Sequence, residues 1–130
     1  MIFYLCILLS IIIFANALLH LLLFFGAPLG EYVLGGKNKI IPRKLRYINF
    51  ILFFIFSFAG IVYLQYGNII QTFMNIKIIF FIILFFTIFF GYGIIGNLKF
   101  TSSKKEMYVM TPVSIVSFVL SIILIFLNYI

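Results

Sequence analysis

Charge is scarce in this sequence, and negative charge is almost absent. The 130 residues include 9 Lys or Arg and 2 Asp or Glu, while 66% are hydrophobic and the mean hydropathy is +1.35. A water-soluble domain of this size needs a polar surface, which so few charged side chains do not supply. The single cysteine excludes a disulfide scaffold, and the apolar content excludes intrinsic disorder. The composition therefore predicts a membrane protein.

Four uncharged apolar runs are each long enough to cross a bilayer. A hydrocarbon core of about 30 Å needs about 20 apolar residues in a helix. The runs cover about 2–25, 48–66, 78–98 and 112–129, and none shows the alternating pattern of a membrane β-barrel. We therefore predict an all-α fold, in which residues 1–130 form a single membrane domain. Its architecture is a polytopic, antiparallel four-transmembrane-helix bundle.

Basic residues predict how this bundle is oriented. Eight of the 9 Lys and Arg residues lie in the segments 26–47 and 99–111, which share one side of a four-span chain. The positive-inside rule predicts that both segments are cytoplasmic, whereas both termini and the 67–77 turn lie outside.

The basic part of the first loop has two interpretations. Near a membrane surface each cation is attracted to anionic lipid headgroups by about 1 kcal/mol. The same cations also serve as topology determinants, and this role alone would explain them. The residues expected to contact anionic lipid are Lys37, Lys39, Arg43, Lys44 and Arg46.

Polar groups are few within the predicted spans, and no Asp, Glu, Lys or Arg lies in the middle of one. This removes the commonest basis of proton-coupled transport. Asn16 and His20 are four residues apart and therefore share one face of the first helix. We expect His20 to make a structural hydrogen bond between helices, with proton transfer or metal binding as alternatives. With one His, one Cys and two carboxylates in the chain, no metal or other cofactor is predicted.

Small residues in the last two spans predict close packing of helices. Ser114, Ser117 and Ser121 share one face of the fourth span, and the third span contains Gly91, Gly93 and Gly96. Helix backbones approach closely where such residues meet.

Five polar side chains near the predicted cytoplasmic ends form a candidate pocket: Asn16, His20, Glu31, Asn97 and Glu106. If they converge on one cavity, they indicate a small transporter or a lipid-handling protein. The leading interpretation is a non-enzymatic accessory subunit, or a small protective or immunity-type protein. An enzyme is not favoured, since only a His and Glu acid–base couple is conceivable.

Several short strings combine turn residues with charge. They are Gly26-Ala27-Pro28-Leu29-Gly30, Gly35-Gly36, Pro42-Arg43-Lys44-Leu45-Arg46, Gly96-Asn97, Glu106 and Met110-Thr111-Pro112. Together they resemble a family of small four-span bacterial integral membrane proteins of unknown function. The resemblance implies a bacterial plasma-membrane location and brings no activity. Its third loop is expected to be richer in Arg, where this sequence has Lys104 and Lys105.

The partners expected from the sequence follow from this placement. They are the lipid bilayer, anionic lipid headgroups, and either a membrane-protein partner or a second copy of the chain. Nucleic acid is not expected, because the cations lie within a few residues of the bilayer and lack an ordered recognition element.

Overall fold

A computed structural model describes residues 1–30, 40–99 and 104–129 of the chain, with side chains through residue 127. Within these ranges every regular element is helical, which confirms the all-α prediction. The four long helices are α1 (Ile2–Phe24), α2 (Arg46–Tyr66), α3 (Ile76–Lys99) and α4 (Thr111–Tyr129). A 3-10 turn, Arg43–Leu45, leads into α2, and a π-helical turn, Glu106–Met110, leads into α4.

All four helices are long and apolar enough to cross a membrane. With their leading turns they form candidate spans of 22 to 24 residues, which is about 33 to 36 Å of helix. Between 22% and 33% of each span is buried inside the molecule. The outer surface of the bundle is therefore largely apolar, and exposed Phe, Ile and Leu side chains cover it.

Contacts between side chains show that neighbouring helices run antiparallel. His20 near the end of α1 bonds Asn49 near the start of α2. Asn97 near the end of α3 likewise bonds Ser114 near the start of α4. The most extensive packing lies within these two hairpins, α1–α2 and α3–α4, and the hairpins meet where α2 contacts α3 and α1 contacts α4.

The first hairpin is tightly packed because two glycines bring its helices together. A Cβ added at Gly67 would lie 2.6 Å from the Cys6 Cβ, and one at Gly60 would lie 2.5 Å from the Phe14 ring. At Gly67 only a residue without a side chain allows this approach, whereas at Gly60 the Phe14 ring occupies the space that a side chain would take. Gly67 therefore limits the distance between α1 and the end of α2.

Left-handed residues close the C-terminal ends of α1 and α2. Gly26 has φ of +95°, and its N–H donates to Leu23 O while Ala27 N–H donates to Leu22 O. This is the Schellman pattern, which satisfies carbonyls that the helix leaves open. Asn68, with φ of 58°, ends α2 through the equivalent pair of bonds.

Gln65 ties the connection between α2 and α3 to the bundle. Its side-chain oxygen accepts hydrogen bonds from the backbone N–H groups of Phe73 at 3.2 Å and Met74 at 3.1 Å. The Gln65 side chain is fully buried. These bonds satisfy backbone groups that would otherwise lack partners next to an apolar core.

The fourth helical segment starts earlier than the sequence predicts. We expected a loop through 111, but helical turns are already present from Lys104. The predicted start of the span is the residue where the uncharged run begins. A helical backbone can begin earlier than that, because charged residues also form helical turns. The π turn lies just before Pro112, whose ring clashes with the carbonyl four residues earlier in a regular α-helix. A wider turn relieves that clash.

Six described cations lie at the end of the bundle where α1 and α3 finish and α2 and α4 begin. We call this the cation-rich end. Lys77, at the start of α3, belongs to the opposite end. The six cations are Arg43, Lys44, Arg46, Lys99, Lys104 and Lys105.

Candidate functional site

A cavity of about 180 Å³ lies near the cation-rich end, with walls from all four helical segments. A cavity of about 150 Å³ is large enough to hold benzene. The polar residues that line it are Asn16, His20, Asn97, Glu106 and Ser114. The remaining walls come from Leu52, Phe56, Phe89, Phe90, Gly93 and Met110. We refer to this space as the polar cavity.

His20 is held in place by α2. Its Nδ1 lies 3.0 Å from the side-chain oxygen of Asn49, and both residues are buried. Because the amide oxygen only accepts hydrogen bonds, Nδ1–H is the donor, and the neutral ring then has a lone pair at Nε2. The ring also stacks on Phe56, with centroids 5.5 Å apart and planes at 8°. His20 thus makes the expected interhelical bond and also lines the polar cavity.

Asn97 joins α3 to the start of the fourth helical segment. Its side-chain nitrogen donates to Ser114 Oγ at 2.8 Å and to Met110 O at 3.3 Å. Gly93 lies one turn earlier, and a Cβ there would be in ordinary contact with Ser114 Oγ at 3.4 Å. Both N–H groups of Asn97 are therefore used within the protein.

Glu106 is the first residue of the π-helical turn. The side chain is 4% exposed, whereas the neighbouring Lys104 and Lys105 are exposed to solvent. Its position in the turn makes Glu106 one of the residues that line the polar cavity. A buried carboxylate at a π-helical turn is notable because such turns occur frequently at functional sites.

Asn16 lines the polar cavity from α1 but does not bond His20. Its side-chain nitrogen donates to Ile12 O on its own helix, at 3.1 Å. The spacing of four residues thus placed Asn16 and His20 on one face, as expected, and each found a different partner. The side-chain oxygen of Asn16 is not used by this bond.

The structure brings four of the five predicted pocket residues to one cavity. They are Asn16, His20, Asn97 and Glu106. Glu31 lies outside the described residues. Ser114 was assigned only to helix packing in the sequence, and here it both packs and lines the cavity.

The residues predicted from the sequence to form the pocket do not include Asn49, the partner of His20. Two signals would have singled it out: it is the first polar residue inside the second apolar run, and an antiparallel hairpin brings it level with His20. Its side-chain nitrogen is buried without a hydrogen-bond partner among the described residues.

The residues predicted to contact anionic lipid fall into three groups. Lys37 and Lys39 lie outside the described residues, while Arg43 and Lys44 are exposed. Arg46 is half-buried: its Nε donates to Ile41 O at 2.9 Å, and its guanidinium group packs over Gly26. Arg46 therefore connects the first loop to the end of α1, which leaves it less free than its neighbours to follow lipid headgroups.

Larger grooves occur on the outer surface. One of about 620 Å³ lies between α2 and α3 and is lined by apolar side chains alone, including Phe54, Phe58 and Phe81. Binding sites usually combine apolar walls with a few well-placed polar groups, which orient the ligand. The polar cavity has this combination and the groove does not, so the smaller space is the better candidate site.

Comparisons with known proteins identify no relative. No protein-family model, curated protein or solved structure matches this chain. Within the described ranges there is also no cluster of three His, Cys, Asp or Glu side chains of the kind that holds a metal ion. The functional argument therefore rests on the geometry of the polar cavity.

Proposed function

We propose that this protein is a multi-pass membrane protein that binds a small polar ligand, or the polar head of a membrane amphiphile, in the polar cavity. This is the small-transporter or lipid-handling function that the sequence suggested as its alternative. The observation that supports it is the convergence of polar side chains from α1, α3 and the fourth helical segment on one cavity. Polar groups at membrane depth cost free energy, and they are commonly retained for function.

The proposal includes insertion in a bacterial plasma membrane. The apolar outer surface supports insertion, because water would make so large an exposed apolar area unfavourable. The cations at one end support an orientation with that end in the cytoplasm. The polar cavity would then be reached from the cytoplasmic face or from the inner leaflet.

The size of the polar cavity supports a headgroup or a small solute. Its volume of about 180 Å³ is close to that of a site for one small ring. A complete phospholipid does not fit, so an amphiphile would place only its polar head there. The accessory or protective role expected from the sequence stays a prediction, since none of the described surfaces selects a protein partner.

The test is a substitution that fills part of the polar cavity. Gly93 lines the cavity, and a small Cβ is tolerated there. We expect Gly93→Leu to project its side chain into the polar cavity and displace the ligand. The matched control is Gly96→Leu on the same helix, where a Cβ meets nothing within 4 Å. Native mass spectrometry of protein extracted in mild detergent measures the bound small molecule.

We expect wild-type protein and the Gly96→Leu variant to retain a non-covalent ligand that the Gly93→Leu variant has lost. The proposal is overturned if wild-type protein carries no such ligand. It is equally overturned if all three proteins carry the same one in equal amount.

A further inference from the structure

Hydrogen-bond donors in the wall of the polar cavity are largely used within the protein. Asn97 donates both of its N–H groups, to Ser114 Oγ and Met110 O. His20 donates Nδ1–H to Asn49, and Asn16 donates one N–H to Ile12 O. The donors left for a ligand are the second N–H of Asn16 and the hydroxyl of Ser114.

Acceptors in the same wall are more numerous. They include Nε2 of the neutral His20 ring and the side-chain oxygens of Asn16 and Asn97. Glu106 adds two carboxyl oxygens, which accept hydrogen bonds. A ligand that pairs with this wall therefore has to supply several N–H or O–H donors.

The charged residues of the wall also favour a ligand that donates hydrogen bonds. Glu106 lines the cavity, and no Lys or Arg is among the described residues that do so. The described basic residues of this end do not line the cavity, and Lys104 and Lys105 among them are exposed to solvent. A cationic donor is favoured by a carboxylate in a site of low dielectric constant, where a bound anion would be repelled.

Aromatic rings form a further part of the wall of the polar cavity. Phe56, Phe89 and Phe90 line the cavity, and the Phe56 and Phe89 rings are in edge contact with centroids 5.9 Å apart. Such walls suit the methylene groups next to an amine, and aromatic faces attract a nearby cation. They offer no hydrogen bond to a phosphate or a carboxylate.

Resting on the proposed function, we infer that the ligand presents a primary ammonium group to the polar cavity. Its N–H groups would be accepted by Glu106, His20 Nε2 and the Asn97 side-chain oxygen. Two sources share this chemistry: the ethanolamine head of a phospholipid, and a small free amine. In the lipid case the phosphate would remain outside the cavity, nearer the exposed cations of this end.

The experiment uses the full chain and its single cysteine. Cys6 is fully buried and near the opposite end of α1, so a thiol-reactive fluorophore labels it only on unfolding. The thermal midpoint is measured in detergent during titration with ethanolamine, tetramethylammonium or inorganic phosphate. Because a ligand stabilises the state that binds it, we expect ethanolamine to raise the midpoint. Tetramethylammonium, which lacks N–H donors, should have a much smaller effect, and phosphate should have none.

Nanodiscs separate the two sources. Stabilisation in phosphatidylethanolamine relative to phosphatidylglycerol identifies the lipid headgroup as the source. Stabilisation by free ethanolamine alone identifies a soluble amine. If neither amine stabilises the protein, or if phosphate does, the ammonium assignment is overturned.

Variants locate the binding site. Glu106→Gln removes the charge and is expected to weaken ethanolamine binding about tenfold or more. The control Lys104→Gln changes an exposed charge two residues away and should bind as wild type. Equal binding by the wild type and both variants contradicts the assignment to Glu106. If Glu106→Gln fails to fold, the comparison of the three ligands on wild-type protein still tests whether the cavity binds an ammonium group.

The ammonium assignment and the proposed function fail separately. A ligand that Gly93→Leu displaces, together with no response to amines, refutes only the ammonium group. Stabilisation by ethanolamine that Gly93→Leu leaves unchanged refutes the polar cavity as the place where it binds.

Discussion

Asn16, His20 and Asn97 in the wall of the polar cavity are each held by side-chain hydrogen bonds within the protein, and each keeps a further polar atom outside those bonds. His20 is fixed through Nδ1 by Asn49, and Asn97 is fixed through its nitrogen by Ser114. Prior orientation of this kind lowers the entropy that a ligand must pay on binding. The polar atoms that remain for a ligand are mostly acceptors, because the N–H groups of these side chains already donate hydrogen bonds within the protein.

His20 tests this description at the residue scale. His20→Leu removes the bond to Asn49, and we expect a loss of about 0.5 to 2 kcal/mol in the free energy of unfolding. SDS-induced unfolding followed by circular dichroism measures it, and a double-mutant cycle with Asn49→Leu isolates the pair. We also expect ligand occupancy to fall, with partial recovery in His20→Gln. Wild-type occupancy in His20→Leu would assign His20 a structural role alone.

At the scale of elements, the two hairpins are held together differently. The α1–α2 pair combines the His20–Asn49 bond with close approach at Gly67, whereas α3 and α4 are joined by the Asn97 bonds near the cation-rich end. Toward the opposite end, the hydroxyl groups of Tyr63 and Ser121 form a hydrogen bond of 2.7 Å between the hairpins. The polar cavity therefore lies between the two hairpins, at the end away from that bond.

Gly67 gives a stability prediction for the first hairpin. A Cβ at this position would lie 2.6 Å from the Cys6 Cβ, which cannot move without moving α1. We expect Gly67→Ala to lower the free energy of unfolding by about 1 to 3 kcal/mol. Gly96→Ala is the control, because it meets open space and removes a helix-destabilising glycine. SDS-induced unfolding compares the two; an equal stability in both would contradict the close approach.

The helices themselves follow from the sequence more directly than their ends do. Uncharged runs located all four long helices, because apolar composition over about 20 residues is a strong signal. The turn at Glu106–Met110 was not predicted, since the predicted span begins only where the uncharged run begins, after the charged residues. Asn16 and His20 could be paired by their spacing, but the partner of His20 could not, because it depends on the register between two helices.

At the scale of the whole molecule, the bundle has one end rich in cations and an apolar surface around its length. The polar cavity lies near that end. The basic residues and the polar cavity are therefore both found toward one end of the long axis of the bundle. This arrangement supports the proposed orientation of the chain in a membrane. It also places the candidate ligand site at the side on which the positive-inside rule predicts the cytoplasm.

Orientation can be tested with two single-cysteine additions. Cys6 is buried and contributes no labelling in the folded protein. Asn68 and Lys104 are exposed at opposite ends of the bundle. In intact bacterial cells we expect a membrane-impermeant maleimide to label Asn68→Cys, and to label Lys104→Cys only after permeabilisation. The reverse pattern would place the cation-rich end outside and contradict the proposed orientation.

The central claim is that the polar cavity holds a ligand, and the ratio of bound ligand in Gly93→Leu to that in Gly96→Leu tests it most directly. Both variants add the same side chain to the same helix, and only Gly93 lines the cavity. Native mass spectrometry should find the ligand at wild-type occupancy in Gly96→Leu and lost from Gly93→Leu. Equal occupancy in the two variants would contradict the account.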